Sequence, residues 1–132
     1  MLLLDASLLV GHLRGDASCT SFVRGHVQGG SELCISAVAW AQLMAGEGLD
    51  GEAESVVCDL LGLFQTQPVG AAIGARAGRL LRDHGGETTL PPADALVVAT
   101  ALELDCPLAT APARHLPAVA GLVVVRPLPG GA

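Results

Sequence analysis

Three consecutive leucines, Leu2–Leu4, run directly into an aspartate, Asp5. A short apolar run without polar alternation reads as a strand covered on both faces, as in a parallel sheet. Leu33–Ile35, Leu63–Thr66, Pro107–Thr110 and Leu122–Val125 supply further short strand segments. Between them the pattern changes to the helical period. Ser7 is placed to cap a helix through Leu8, Leu9 and His12 to Gly15, and Ser18–Val27 forms a second, stopped at Gly29–Gly30. Ser36 caps a third, through Trp40 and Leu43 to Ala45. Gly51–Leu61 and Ala71–His84 follow, the latter closed by Gly85–Gly86. Pro91 and Pro92 open a last helix that reaches Leu104, because proline's missing N–H does no harm in a first turn. Strands alternating with helices indicate an α/β domain with a mainly parallel sheet.

The 132 residues suit one domain. We expect it to fill residues 1–126, with the Pro/Gly-rich 127–132 (PLPGGA) as a loose tail. Apolar residues make up 51% and charged ones 15%, which excludes disorder. The longest uncharged stretch, Leu60–Ala75, is broken by Gln65, Thr66, Gln67 and Pro68, so no membrane span is expected. Asp5 follows the first apolar run without a preceding basic segment, unlike a secretory signal, and the expected location is the cytoplasm. Seven cations, all arginine, face thirteen carboxylates, a formal charge of −6. That balance argues against indiscriminate nucleic-acid binding by bulk charge, though not against a local arginine-lined groove. Cys19, Cys34, Cys58 and Cys106 lack C-x-x-C spacing and read as free thiols, with Cys34 and Cys106 in apolar runs that point to the core.

Ligands of open α/β sheets bind beyond the carboxyl ends of the strands. The polar residues there are Asp5 after the first strand, Ser36 and Gln42 after the second, and Thr110 at the end of the Pro107 strand. Asp94 stands in the first turn of the Pro91 helix. Each carboxylate has a plain structural reading: Asp5 as a helix cap, Asp94 as a charge favoured by the helix dipole. Together, facing one rim, they also make a candidate cation site. Arg76, Arg79 and Arg82 form a stripe that reads either as a phosphate contact or as a solvated helix face, the latter favoured. Gly70–Gly74 lacks the Lys-Ser/Thr ending of a P-loop, and no Ser/His/Asp set is spaced to suggest a triad.

Four blocks resemble a known family. Leu2–Val10 (LLLDASLLV), Ile35–Gly46 (ISAVAWAQLMAG) and Pro92–Leu104 (PADALVVATALEL) are similar to the signature blocks of PIN domains, in particular VapC-type toxins of bacterial toxin–antitoxin pairs. Pro107–His115 (PLATAPARH) resembles the fourth block. The resemblance implies a three-layer α/β/α fold on a sheet of four or five strands. It also implies a ribonuclease whose acidic cluster holds Mg²⁺ or Mn²⁺ and hydrolyses RNA phosphodiester bonds. A homodimer and a small antitoxin partner are implied as well. Asp5 and Asp94 match two family acids, as catalytic and metal-binding residues. Thr110 matches the Ser/Thr that commonly precedes the fourth acid, and Ser7 and Gln42 are expected as supporting residues beside the metal. Two departures stand out: Gln42 replaces the usual Glu, and Pro112 takes the place of the usual Asp. Glu47, Glu103 and Asp105 are not placed to compensate. Arg114 and His115 stand near the rim, where Arg114 could contact a phosphate. The alternative implied by the two departures is an inactive PIN-fold module that binds RNA or an antitoxin.

Overall fold

The computed structural model describes residues 1–84 and 90–128. Five strands are present among them: β1 (Leu2–Leu4), β2 (Leu33–Ser36), β3 (Gln65–Gln67), β4 (Leu108–Ala109) and β5 (Val124–Val125). Six helices separate them: α1 (Ala6–Leu13), α2 (Ala17–Gln28), α3 (Ala37–Met44), α4 (Gly51–Leu61), α5 (Ala71–Asp83) and α6 (Pro92–Leu104). The strands form one all-parallel sheet in the order β3-β2-β1-β4-β5. The expected α/β class is present, and the sheet, expected to be mainly parallel with four or five strands, has five and is all parallel.

β1 is the central strand, and its burial explains its composition. Side chains of a strand alternate between faces. Leu2 and Leu4 enter one core with Leu33, Ile35 and Ala109, under α1, α2, α3 and α4. Leu3 enters a second core with Cys34 and Leu108, under α5 and α6. With helices on both sides, neither face tolerates an unpaired polar group. At the sheet edge, β3 is the polar sequence Gln65–Thr66–Gln67, and its Thr66 hydroxyl accepts a hydrogen bond from Trp40 Nε1 at 2.9 Å.

Several expectations are corrected. Of the two cap readings for α1, Asp5 holds and Ser7 does not; the Asp5 side chain accepts from the Ser7 amide, leaving Ser7 inside the first turn. The third strand begins at Gln65 rather than Leu63, because Leu63 and Phe64 are still turning: their amides bond to the Leu60 and Leu61 carbonyls. Thr110 lies just beyond β4, and Leu122 lies before β5. Of the two thiols expected in the core, Cys34 is buried and Cys106 only half-buried. The expected helix stop at Gly85–Gly86 and most of the expected 127–132 tail lie outside the described residues. No helix among the described residues is long and apolar enough to cross a membrane.

Two local features are open to direct test. Gly11 lets α1 settle onto α2: a Cβ there would stand 2.5 Å from Cys19 Sγ. Gly11→Ala should therefore lose stability by about 1–3 kcal/mol despite the better helix propensity of alanine. Adding Cys19→Ala should recover part of that loss in urea unfolding, and a Gly11→Ala protein as stable as wild type would contradict the close approach. The Cys34 thiol is pushed from 9.0 up to about 11, first by burial and then by the neighbouring Cys106. An unfolded thiol ionises first, so stability held below about pH 9 should fall as pH rises through that window. Cys34→Ala should flatten this alkaline decline in pH-dependent denaturation.

Candidate functional site

The strand order reverses beside β1. The chain runs outward from β1 to β2 and β3, then returns to place β4 on the other side of β1. The carboxyl ends of β1 and β4 thus meet at a topological switch point, where sheets of this kind open a crevice. Asp5 follows β1, with its amide donating to the Ala109 carbonyl at 2.8 Å. The segment from Thr110 to Arg114 follows β4. Asp94 arrives from the opposite helical layer, in the first turn of α6, where the helix dipole favours a carboxylate.

Both carboxylates are buried, at 4% exposure for Asp5 and 8% for Asp94. A single guanidinium answers both. Arg114 Nη2 is paired with Asp94 Oδ1, and Arg114 Nε stands 3.5 Å from Asp5 Oδ2. The contact with Asp5 has the distance of an ion pair but not the alignment of a hydrogen bond, since Nε is buried without a hydrogen-bond partner. Ser7 completes the frame. Its hydroxyl donates to Asp5 Oδ2 and accepts from the Ala111 amide at 3.0 Å, tying the loop after β4 to α1. Arg126 Nη2 donates to the Arg114 carbonyl at 3.1 Å and holds the same loop from the far side.

Asp5, Ser7 and Arg114 border a cleft of about 700 Å³ together with Gly11, Arg14 and Gln42, among others, whereas Asp94, paired with Arg114, is not one of its lining residues. The structure brings together Asp5, Ser7, Asp94 and Arg114. Gln42 is exposed on α3 and reaches the cleft wall. Thr110 is fully buried beside the site, its hydroxyl without a hydrogen-bond partner. Ser36 is spent on capping the Val38 amide of α3. Pro112 and His115 are exposed on the loop and are not among the residues that line the cleft. Arg76 of the basic stripe pairs with Glu103 at 3.0 Å, while Arg79 and Arg82 are exposed. The stripe belongs to α5 and does not line the cleft.

Sequence reasoning missed two cleft residues, Arg14 and Asp16. Asp16 caps α2, and the Ser18 hydroxyl and Cys19 amide hold its carboxyl below the usual range. The Asp-x-Ser-Cys spacing of that cap was a readable signal. The double role of Arg114 had none, because 20 residues separate it from Asp94.

The donors suit a hard divalent ion in kind: carboxylate oxygens are its preferred ligands, and Mg²⁺ retains several waters. The two carboxylates already face one shared cation, the guanidinium, through two of its nitrogens. No group of three or more His, Cys, Asp or Glu side chains poised for a metal occurs among the described residues. The fit is to an ion held by two acids and water.

The family model for the PIN domain matches residues 2–121. The chain belongs to the PIN-domain family. Its curated relatives include ribonuclease VapC10 of Mycobacterium tuberculosis, 33% identical over 118 residues that cover 89% of this chain and 86% of the relative. Ribonuclease VapC19 of the same organism is 30% identical over 120 residues, covering 89% and 93%. A toxin–antitoxin complex from Klebsiella pneumoniae contains a chain with the same fold, at a TM-score of 0.74 and 20% identity, covering 93% of this PIN domain and 96% of that chain. The resemblance of the four sequence blocks therefore reflects membership, and this PIN domain is related to VapC toxin ribonucleases.

The Ser7 tie gives a prediction. Ser7→Ala removes a donor to Asp5 and leaves the Ala111 amide without its acceptor, and should destabilise the protein by about 1–3 kcal/mol. Urea denaturation measures it, and an unchanged midpoint would show that the loop does not depend on Ser7.

Proposed function

We propose that this PIN domain is a VapC-like, metal-dependent endoribonuclease, the toxin of a toxin–antitoxin pair, acting at the cleft beyond β1 and β4. The observation that carries this reading is the convergence of two buried carboxylates, from β1's end and α6's first turn, on one cation position. Asp5 and Asp94 would hold Mg²⁺ or Mn²⁺, which supplies an activated water and neutralises charge at the scissile phosphate. Ser7 holds the Asp5 carboxylate in place. Gln42 would orient water from the cleft wall through its amide oxygen. The Thr110 hydroxyl is buried with hydrogen-bonding capacity to spare beside the loop. Arg114 and Arg14 supply positive charge for the phosphate backbone, a local groove within an acidic protein.

Two acidic positions of the family pattern are occupied by Gln42 and Pro112, so the metal would be held with fewer charges and less tightly. That composition also supports the second reading, a module that binds RNA or an antitoxin without cutting. The small antitoxin partner rests on the kinship with VapC ribonucleases and the toxin–antitoxin complex that shares the fold. A homodimer is part of the same family-based reading.

RNA cleavage in Mg²⁺ or Mn²⁺ separates the two readings. Wild type should cleave, and Asp5→Ala and Asp94→Asn should each lower the rate by about a hundredfold, because metal ligation contributes several kcal/mol to the barrier. Equal cleavage by wild type and Asp5→Ala would remove this site from the reaction. Inactive wild type with activity restored by Gln42→Glu plus Pro112→Asp would select the binding module.

A further inference from the structure

We infer that Arg114 is a built-in occupant of the cation position, one that a divalent ion must displace before the site can load. The inference rests on the metal-dependent reading above and adds a form of regulation to it. The guanidinium reaches Asp5 through Nε and Asp94 through Nη2, so it engages a carboxylate oxygen of each acid that an ion shared by the two would need. Guanidinium and divalent ion compete for the same oxygens and repel each other, which makes the two states exclusive. The loop that carries Arg114 is fastened. The Arg114 amide bonds to the Ala111 carbonyl at 3.1 Å, Arg126 holds the Arg114 carbonyl, and Ser7 holds the Ala111 amide. Displacement therefore falls to the side chain alone.

That side chain has somewhere to go. Its side-chain exposure is 30%, against side-chain values of 6% and 10% for Asp5 and Asp94, and it lines the open cleft. Its hold is also uneven, well paired at Asp94 and poorly aligned at Asp5, with Nε lacking a hydrogen bond. A cation so placed keeps two buried carboxylates compatible while no metal is bound, and yields to an ion that satisfies both more fully. Arg114 is thus a positioning residue at rest and a competitor during loading.

The test is a calorimetric Mn²⁺ titration of chelator-treated protein without RNA, alongside melting curves with and without Mn²⁺. Arg114→Gln should bind Mn²⁺ about tenfold more tightly than wild type, a usual size for coupled binding. Without metal it should melt below wild type, since both acids lose their counter-ion, and Mn²⁺ should raise its melting temperature more than that of wild type. Arg114→Lys keeps a charge but not the fork that spans both acids. It should show a smaller gain in affinity, and it carries the test if the Gln variant does not fold. Equal Mn²⁺ affinity in wild type and the variants, or no binding by any of them, overturns the inference. Because RNA is absent, equal affinities would leave Asp5-dependent cleavage standing. Loss of that cleavage in the separate assay would strike the ribonuclease reading instead.

Discussion

Burial of β1 on both faces governs where chemistry can stand in this protein. The strand is three leucines long, flanked by β2 and β4 and covered by helices on each side. A charge within it would lie in one core or the other, without water. The first position that can carry one is the residue that leaves the sheet, Asp5. There the chain turns into α1 and the carboxylate gains a backbone amide, a serine hydroxyl and a guanidinium as neighbours. Fold and site are thus two results of one constraint: apolar strands push polar side chains to the rim, and the reversal of strand order beside β1 opens a cleft at that rim.

Charge at the rim is more evenly balanced than over the whole molecule. The chain has an excess of carboxylates, yet the cleft draws on two arginines, Arg14 and Arg114, beside its acids. Exposed pairs such as Arg76–Glu103 contribute about 0–1 kcal/mol and leave little mark on the fold. The Arg114 pairing differs because its partners are buried. Removing one member of such a set leaves a charge with neither water nor counter-ion, which is far more costly than losing a surface pair.

Much of this was legible in the sequence, for identifiable reasons. Unbroken apolar runs marked β1 and β2 because both are covered on two sides. Pro92 marked the start of α6 because its missing donor suits a first turn. Asp5 and Asp94 could be singled out as carboxylates next to apolar segments. The edge strand was placed two residues early, because Leu63 and Phe64 look like strand residues while their amides finish a turn after α4. Asp5 and Ser7 both carry a cap signal two residues apart, and the local pattern does not choose between them; in the folded chain Asp5 caps α1 and also faces Arg114. What the sequence could not carry was the meeting of Arg114 with two acids. That contact depends on β4 docking beside β1, and no local pattern records it.

The Ser7 hydroxyl and the Ala111 amide that bonds to it lie 104 residues apart in the chain. The chain is made from its amino end, and a domain generally folds as a unit. It cannot close the rim until β4 and the loop behind it have emerged. Until residues 94–114 have been made, Asp5 has neither the serine-held loop nor Arg114 nor Asp94 to meet. The paired carboxylates come into existence as a unit only after the chain has been made through Arg114. Assembly of this centre is therefore a late folding event, timed by the order in which the sequence presents its parts.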